Sequence, residues 1–378
     1  MKFLLVNTDY PDFGRTLYEG RPELDRAPYD EQLAARSESL FGTANFYSTT
    51  LCELGHDAFD VHVNVEPLQR AWAQEHGIAV SAPEQGRSLP ERVIRRLRRP
   101  TRGWFETILS AQVRHHRPDV LFVQDMIHVT PSLLRELRAA VGLVIGQHAA
   151  TPLPYDADEL GAYDLVTSSF GPTVDAMLRL GVPAELHRLA FEPRVLDSIG
   201  PSPGPRYDVT FVGSLFAGVH DSRRHLLELL CDRFPTLRVF GPGVDSLPVG
   251  SSIRSHHAGP AWGREMYEVL RDSRVTVNEH GSIPDYANNC RLYEATGVGT
   301  LLVTDARANL AALFEPGREV AAYRSPEECA ELVAYYLAHD EERAAIAAAG
   351  QARTLSEHTF RSRAEELVEL VERYGRRP

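Results

Sequence analysis

The sequence predicts an α/β protein of two doubly wound domains, each a parallel sheet covered by helices. Three observations predict it. Short apolar runs alternate with stretches of helical apolar spacing along most of the chain. That rhythm is interrupted at the proline- and glycine-rich EPRVLDSIGPSPGPRY and then restarts. A chain of 378 residues, 43% hydrophobic and 24% charged, is long enough for two ordinary cores.

The elements follow in order. KFLLVN reads as a first strand, SLFGTANFYSTTLCELG as a helix ending at Gly55, and DAFDVHVN as a second strand. After a less legible stretch come the strands PDVLFVQ, GLVIGQH, YDLVTSS and AELHRLA, with PSLLRELRAA and PTVDAMLRLG as helices between them. Beyond the linker, YDVTFVGS, TLRVFG, RVTVNEHG and TLLVTD are strands, and RRHLLELLCDRF, GREMYEVLRDS, NNCRLYEATG and PEECAELVAYYLAHD are helices. The expected domains are residues 1–192 and 208–355, joined by a linker over 193–207 that holds no regular element. The helix FRSRAEELVELVERYG, within 356–378, follows a completed domain and is expected to pack back on the first.

Composition excludes some functions. A net charge of -12 argues against general nucleic-acid binding. Cys52, Cys231, Cys290 and Cys329 lie far apart, which suits neither a zinc knuckle nor a disulfide framework and fits a reducing compartment. The apolar start MKFLLVN is too short for a signal-peptide core or a membrane span, so a cytoplasmic protein is expected.

In open parallel sheets, ligands bind outside the carboxyl ends of the strands, and two such domains facing one another make a cleft. VTFVGSLFAGVHDSRRHLLELL has a strand ending in Gly213 and Ser214, a loop with Gly218, and a helix starting near Asp221. Backbone amides and the positive end of a helix there suit a phosphate. Lys2 is the single lysine, so a diphosphate in this domain must be met by arginine, histidine or amide dipoles, and Arg223 or Arg224, with His220 nearby, is the natural clamp. In RLYEATG, a short helix ended by Gly297, Arg291 and Glu294 are three apart and share a face, where they either bind a ligand or pair. A carboxylate such as Glu294 accepts both hydrogens of a ribose diol. Thr304 and Asp305 end the next strand, and Asp305 either caps the following helix or binds ligand.

NNCRLYEATGVGTLLVTD, NLAALFEPGREVAAYRSPEECAELVAYYLAHDEERAAIAAAG and VTFVGS resemble the carboxyl-terminal half of GT-B glycosyltransferases of the CgeB-like kind, near the group 1 or family 4 transferases. The likeness is close from about Asp208 to Thr359 and looser over the first half, where PDVLFVQD, GLVIGQHAATPLP and YDLVTSS carry it. It implies two Rossmann-like domains, with a nucleotide diphosphate sugar mainly on the second and the acceptor mainly on the first. It also implies metal-independent, retaining glycosyl transfer with no cofactor beyond the donor. Glu294 matches the ribose carboxylate, Gly213 and Ser214 lie in the diphosphate loop, and Arg223 or Arg224 replaces the usual basic clamp, with Asn289 and Arg291 in the same block.

One position departs from the family. The second glutamate, eight residues before the ribose carboxylate, is Tyr286 here, with Asp285, Glu279 and His280 as nearby substitutes for contact with the donor sugar. His148 matches a strand-end histidine that approaches the donor sugar. Asp125 and Asp9 also end strands of the first domain, where either would orient or deprotonate an acceptor hydroxyl. A basic face at Arg92, Arg95, Arg96, Arg98, Arg99 and Arg102 suits a solvated helix or contact with membrane phosphates or an anionic acceptor. The pairs His115-His116 and His256-His257 have no acidic companions, so no metal site is expected. Glycosyl transfer leads, ahead of sugar-nucleotide epimerisation on the same fold and a non-catalytic sugar-nucleotide binder or partner subunit.

Overall fold

The computed structural model describes residues 1–80, 103–150, 152–216, 221–281 and 285–375. Gly218, His220 and the arginines from Arg92 to Arg102 lie outside the described residues. The chain divides into two compact units. Unit 1 comprises Met1–Glu38, Tyr47–Leu186 and Leu367–Pro378, and unit 2 comprises Ser39–Phe46 and His187–Glu366.

Unit 1 holds six strands, β1 (Lys2–Asn7), β2 (Asp57–His62), β3 (Val120–Val123), β4 (Leu143–Gln147), β5 (Leu165–Ser168) and β6 (Ala184–Leu186). They form one parallel sheet in the order β2-β1-β3-β4-β5-β6. The order reverses between β1 and β3, which makes the carboxyl ends of those two strands the switch point of the sheet. Phe3, Leu4, Leu5 and Val6 are all buried, as are Val120 to Val123. Such unbroken apolar runs are what a sheet covered on both faces requires.

Unit 2 holds β7 (Tyr207–Val212), β8 (Arg238–Phe240), β9 (Ser273–Asn278), β10 (Leu301–Asp305) and β11 (Ala321–Tyr323). These are parallel in the order β11-β10-β9-β7-β8, with the switch point between β7 and β9. Val209, Phe211, Val275, Val277, Leu301 and Val303 form the centre of its core against Leu226, Leu227 and Leu230 of the helix Asp221–Arg233.

Several elements differ from expectation. The helix expected from Ser39 begins at Phe46, because Leu40, Gly42 and Ala44 adopt positive φ and break the repeat. The segment Ser39–Phe46 packs into unit 2, with Phe41 edge-on to Trp262 at 5.2 Å and the Ser39 carbonyl accepting the Arg264 amide at 2.8 Å. The helices Pro11–Glu19 and Tyr29–Glu38 have no counterpart in the sequence reading. The second of them buries Gln32 and Arg36, so its inward face is partly polar and leaves a weak apolar stripe. The stretch 193–207 is not free of regular structure: Arg194–Ile199 is a short helix that buries Val195 and Ile199. The strand β11 has no counterpart among the expected elements.

Candidate functional site

In unit 2, four strand ends and one short helix bring the expected nucleotide residues to one edge. The loop after β7 is built on close backbone contact. Gly241, after β8, has φ +153°, and a Cβ there would lie 1.8 Å from the Gly213 carbonyl oxygen. The Gly213 and Leu215 amides donate to Phe240 and Pro242 carbonyls, both at 2.9 Å. The Gly213 amide, expected to face a phosphate, is therefore committed to the end of β8, which corrects that expectation and leaves the Ser214 amide between two committed ones. The expected helix does start at Asp221.

Arg223, in the first turn of that helix, ties the two switch-point strand ends together. Its Nη1 donates to the Ser214 carbonyl at 3.0 Å and its Nη2 to the Glu279 carbonyl at 2.8 Å, while the guanidinium lies over the Phe211 ring at 5.5 Å. Glu279 takes the Ser222 hydroxyl at 2.9 Å and sits 3.4 Å from Arg223 Nε. Glu279 is thus a strut for the helix start through Oε1, while its Oε2 is buried without a hydrogen-bond partner. Asp285 accepts the Ala308 amide at 3.1 Å.

His280 is placed differently. It follows β9 and is buried, with Nδ1 at 2.5 Å from Asp305 Oδ1. Its Nε2 is buried without a hydrogen-bond partner, a condition that in a native protein asks for a reason. Burial alone would raise the Asp305 carboxyl, but His280 and Arg307, the latter 2.7 Å away, outweigh it and hold Asp305 below its ordinary value. Asp305 does not cap the following 3-10 helix Leu310–Ala312, which starts after Asn309, so its expected capping role is replaced by this clamp on His280.

The helix Arg291–Gly297 begins and ends as the spacing predicts. Asn289 exchanges amide hydrogen bonds with Asn278 and accepts the Leu292 amide at 3.3 Å, which fixes the helix start. Asn278 also donates to Thr304 at 3.0 Å, so Thr304 serves the β9 to β10 connection. Arg291 and Glu294 do pair: Nη1 and Oε2 are 2.7 Å apart, and both side chains are mostly buried, at 13% and 14% exposure. Arg291 Nε also donates to the Val212 carbonyl at 3.2 Å, docking the helix on the end of β7. Gly297, the last residue of the helix, is glycine for a packing reason, since a Cβ there would come within 2.4 Å of the Phe191 ring.

In unit 1, His148 follows β4, its amide donating to the Thr167 carbonyl at 3.1 Å. Burial lowers its pKa, against the opposing pull of the Pro152 and Ala150 backbone and of Asp125, so the ring is neutral near pH 7. Its Nε2 is buried without a partner.

Asp125 and Asp9 are placed against the expectation of a general base. Asp9 is buried in an ion pair with Arg36 and lies 3.4 Å from His62. Burial would raise its carboxyl, but His62 and Arg36 hold it far below the ordinary value. Asp9 is a structural anchor. Asp125 accepts the Ile127 and His128 amides at 2.8 and 3.2 Å, the Thr8 hydroxyl at 2.8 Å, and lies 2.6 Å from His128 Nδ1. Burial is again outweighed, and these partners bring its pKa down to about 2. A carboxylate held this firmly ionised is a weak proton acceptor at neutral pH. His128 is not among the expected site residues, although Asp-x-x-His just after a strand is a signal for it.

The two adjacent histidine pairs have local partners. His256 and His257 bond the Leu237 and Gly241 carbonyls, and His115 and His116 pack against each other's rings. Among the described residues no three His, Cys, Asp or Glu side chains are grouped for a metal, and no helix is long and apolar enough to cross a membrane.

Residues 223–369 match the sequence family described as glycosyl transferase-like. No curated protein matches the chain. A glycosyltransferase from Rickettsia africae superposes with a TM-score of 0.60 at 9% identity, covering 100% of this chain and 99% of that one. Anabaena HepE, solved in complex with UDP-glucose, gives 0.58 at 11% identity over 99% of this chain and 100% of its own. A sucrose-phosphate synthase from Thermosynechococcus elongatus gives 0.56 at 14% identity, over 99% and 98%. At such identities the likeness establishes the fold, and that fold is GT-B: two Rossmann-like units, as expected, with the family match falling on the second.

Proposed function

We propose, from a GT-B fold over the whole chain and a glycosyl transferase-like match in unit 2, that this protein moves a sugar from a nucleoside diphosphate sugar to an acceptor hydroxyl. The observation that carries the reading is the β7/β9 switch point of unit 2, which carries a glycine-built strand end, a helix start held by Arg223, the helix with the Glu294 carboxylate docked on β7, and the buried, unpartnered Nε2 of His280. Glu294 holds the ribose diol while Arg291 orients it. The diphosphate lies along Ser214 and the start of the helix Asp221–Arg233, met by its dipole and by Arg224, since Arg223 is engaged with the Ser214 and Glu279 carbonyls and holds the loop. His280 Nε2 meets the donor sugar in place of the missing glutamate. That HepE was solved with UDP-glucose supports a nucleotide sugar as the ligand class. The CgeB-like kinship and retention of configuration come from the resemblance of the sequence blocks, and NMR of the product anomer reads the latter directly. A cytoplasmic location is proposed on the four unpaired cysteines.

Incubation with a panel of nucleotide sugars tests the reading: free nucleoside diphosphate is expected to appear, and to appear faster with an acceptor. An altered sugar still joined to its nucleotide would indicate epimerisation, and binding without turnover would indicate a non-catalytic binder. Turnover is expected to persist in excess chelator, because arginine and a helix N-terminus meet the leaving charge. Loss of activity restored by magnesium or manganese would overturn metal independence.

His148 is proposed to act on turnover through unit 1. The variant His148→Ala is expected to lower kcat more than tenfold while nucleoside diphosphate, held by unit 2, binds normally. Full turnover in a variant of unchanged melting temperature would leave His148 with a structural role.

A further inference from the structure

Glu279 and His280 follow β9 directly, and each leaves a buried acceptor atom without a hydrogen bond, Oε2 on the glutamate and Nε2 on the histidine. Glu279 is 7% exposed and His280 3%, so water does not supply the missing partners. Orphaned acceptors on neighbouring residues ask for a common reason.

Both atoms belong to side chains that are held from behind. Glu279 takes the Ser222 hydroxyl on Oε1 at 2.9 Å, and its Oε2 stands 3.4 Å from Arg223 Nε, an ion pair without a hydrogen bond. The His280 amide donates to the Asp305 oxygens at 3.2 and 3.3 Å, and its Nδ1 lies 2.5 Å from Oδ1. Because that nitrogen donates to a carboxylate, neutral His280 carries its lone pair on Nε2. Arg307 completes the frame, with Nε on Asp305 at 2.7 Å and Nη2 on the Gly281 carbonyl at 3.1 Å. Two fixed acceptors thus flank the carboxyl end of β9, one toward the helix Asp221–Arg233 and one toward β10.

We propose that Glu279 Oε2 and His280 Nε2 each accept a hydroxyl hydrogen of the donor sugar, so that the donor carries a neutral, hydroxyl-bearing sugar and not a uronic acid. This rests on the glycosyl-transfer reading, which lays the diphosphate along the helix start that Glu279 braces. A hydroxyl brings the hydrogen that each atom lacks. A sugar carboxylate brings none, and it adds a like charge beside the Glu279 and Asp305 carboxylates. A site built to accept from hydroxyls rejects a sugar that leaves its buried acceptors unpaired.

The test is calorimetric titration with UDP and GDP and, for the nucleotide that binds, its hexose and hexuronic acid conjugates: UDP-glucose with UDP-glucuronic acid, or GDP-mannose with GDP-mannuronic acid. The wild-type protein should bind the hexose conjugate at least about tenfold more tightly than the hexuronic acid conjugate. Glu279→Gln keeps an acceptor for Ser222 and puts an amide donor in place of Oε2. His280→Asn keeps an amide for Asp305 and removes the atom at Nε2. Each variant should bind the hexose conjugate at least about tenfold more weakly, while the free nucleoside diphosphate binds no more weakly than to wild type. A merely structural role would lower both affinities together. Wild-type affinity for the hexose conjugate in both variants, a parallel loss of nucleotide and conjugate, or a preference for the hexuronic acid overturns the proposal while the glycosyl-transfer reading stands. Should either variant unfold, the wild-type choice between hexose and hexuronic acid still decides. A wild-type protein that binds neither nucleoside diphosphate nor any conjugate overturns both.

Discussion

Glu294→Gln is expected to weaken nucleoside diphosphate binding about tenfold to a hundredfold. A hydrogen bond to a charged group contributes about 1.5 to 3 kcal/mol, and the substitution removes the charge while keeping the shape. The sequence alone suggests that stability would hardly change, but the structure shows a second consequence. Glu294 neutralises Arg291 at 2.7 Å, and both are mostly buried. The variant strands the Arg291 charge beside the end of β7, so the melting temperature should fall as well. Affinity must then be measured by titration well below the variant's melting temperature, where the folded fraction is not limiting. Arg291→Gln serves as the control: it breaks the same pair yet leaves the carboxylate proposed for the ribose in place, so it should lose stability and less affinity than Glu294→Gln. Equal affinity for wild type and Glu294→Gln would remove the ribose role.

Arg36→Ala should destabilise the protein by about 3 to 5 kcal/mol, the cost of leaving a buried charge without its partner. Asp9 sits under the loop after β1, nearly inaccessible, with Arg36 and His62 as its charge partners and Asn64 bonding its backbone on both sides. The guanidinium also lies 5.5 Å from the Phe13 ring, so packing is lost with the charge. The pH dependence gives a second readout. Because the folded-state pKa of Asp9 lies below the unfolded value of 3.8, its contribution is present above that value and is lost as the pH falls through the folded one. The stability gap between wild type and Arg36→Ala should therefore be full near neutrality and narrow in acid. Urea melts at pH 7 and pH 3 measure it, and an equal gap at both pH values would show that packing alone is responsible.

Much of the fold was legible because a parallel sheet writes itself plainly. Runs such as Phe3 to Val6 and Val120 to Val123 are apolar, short and fully buried, as strands in a sheet covered on both faces are. The helix Arg291–Gly297 was legible for the same local reason, with Glu294 three residues beyond Arg291. Elements with polar inward faces were not. Tyr29–Glu38 buries Arg36 against Asp9, a residue 27 positions away, and no window of sequence reports such a match.

Amino-acid sequence by itself determined the α/β class, the resumption of the strand-helix rhythm after 193–207, and the clustering of Gly213, Arg223 and Glu294 in the second series. Tertiary structure decided what each strand-end carboxylate does. Asp9 and Asp125 look alike in sequence, each polar and just past an apolar strand. One is buried on an arginine, and the other is saturated by two amides, a hydroxyl and a ring nitrogen. The reason is physical: a strand's apolar pattern depends on local burial, whereas the proton affinity of a carboxylate depends on every donor that folding brings within hydrogen-bond reach, and those donors come from distant parts of the chain.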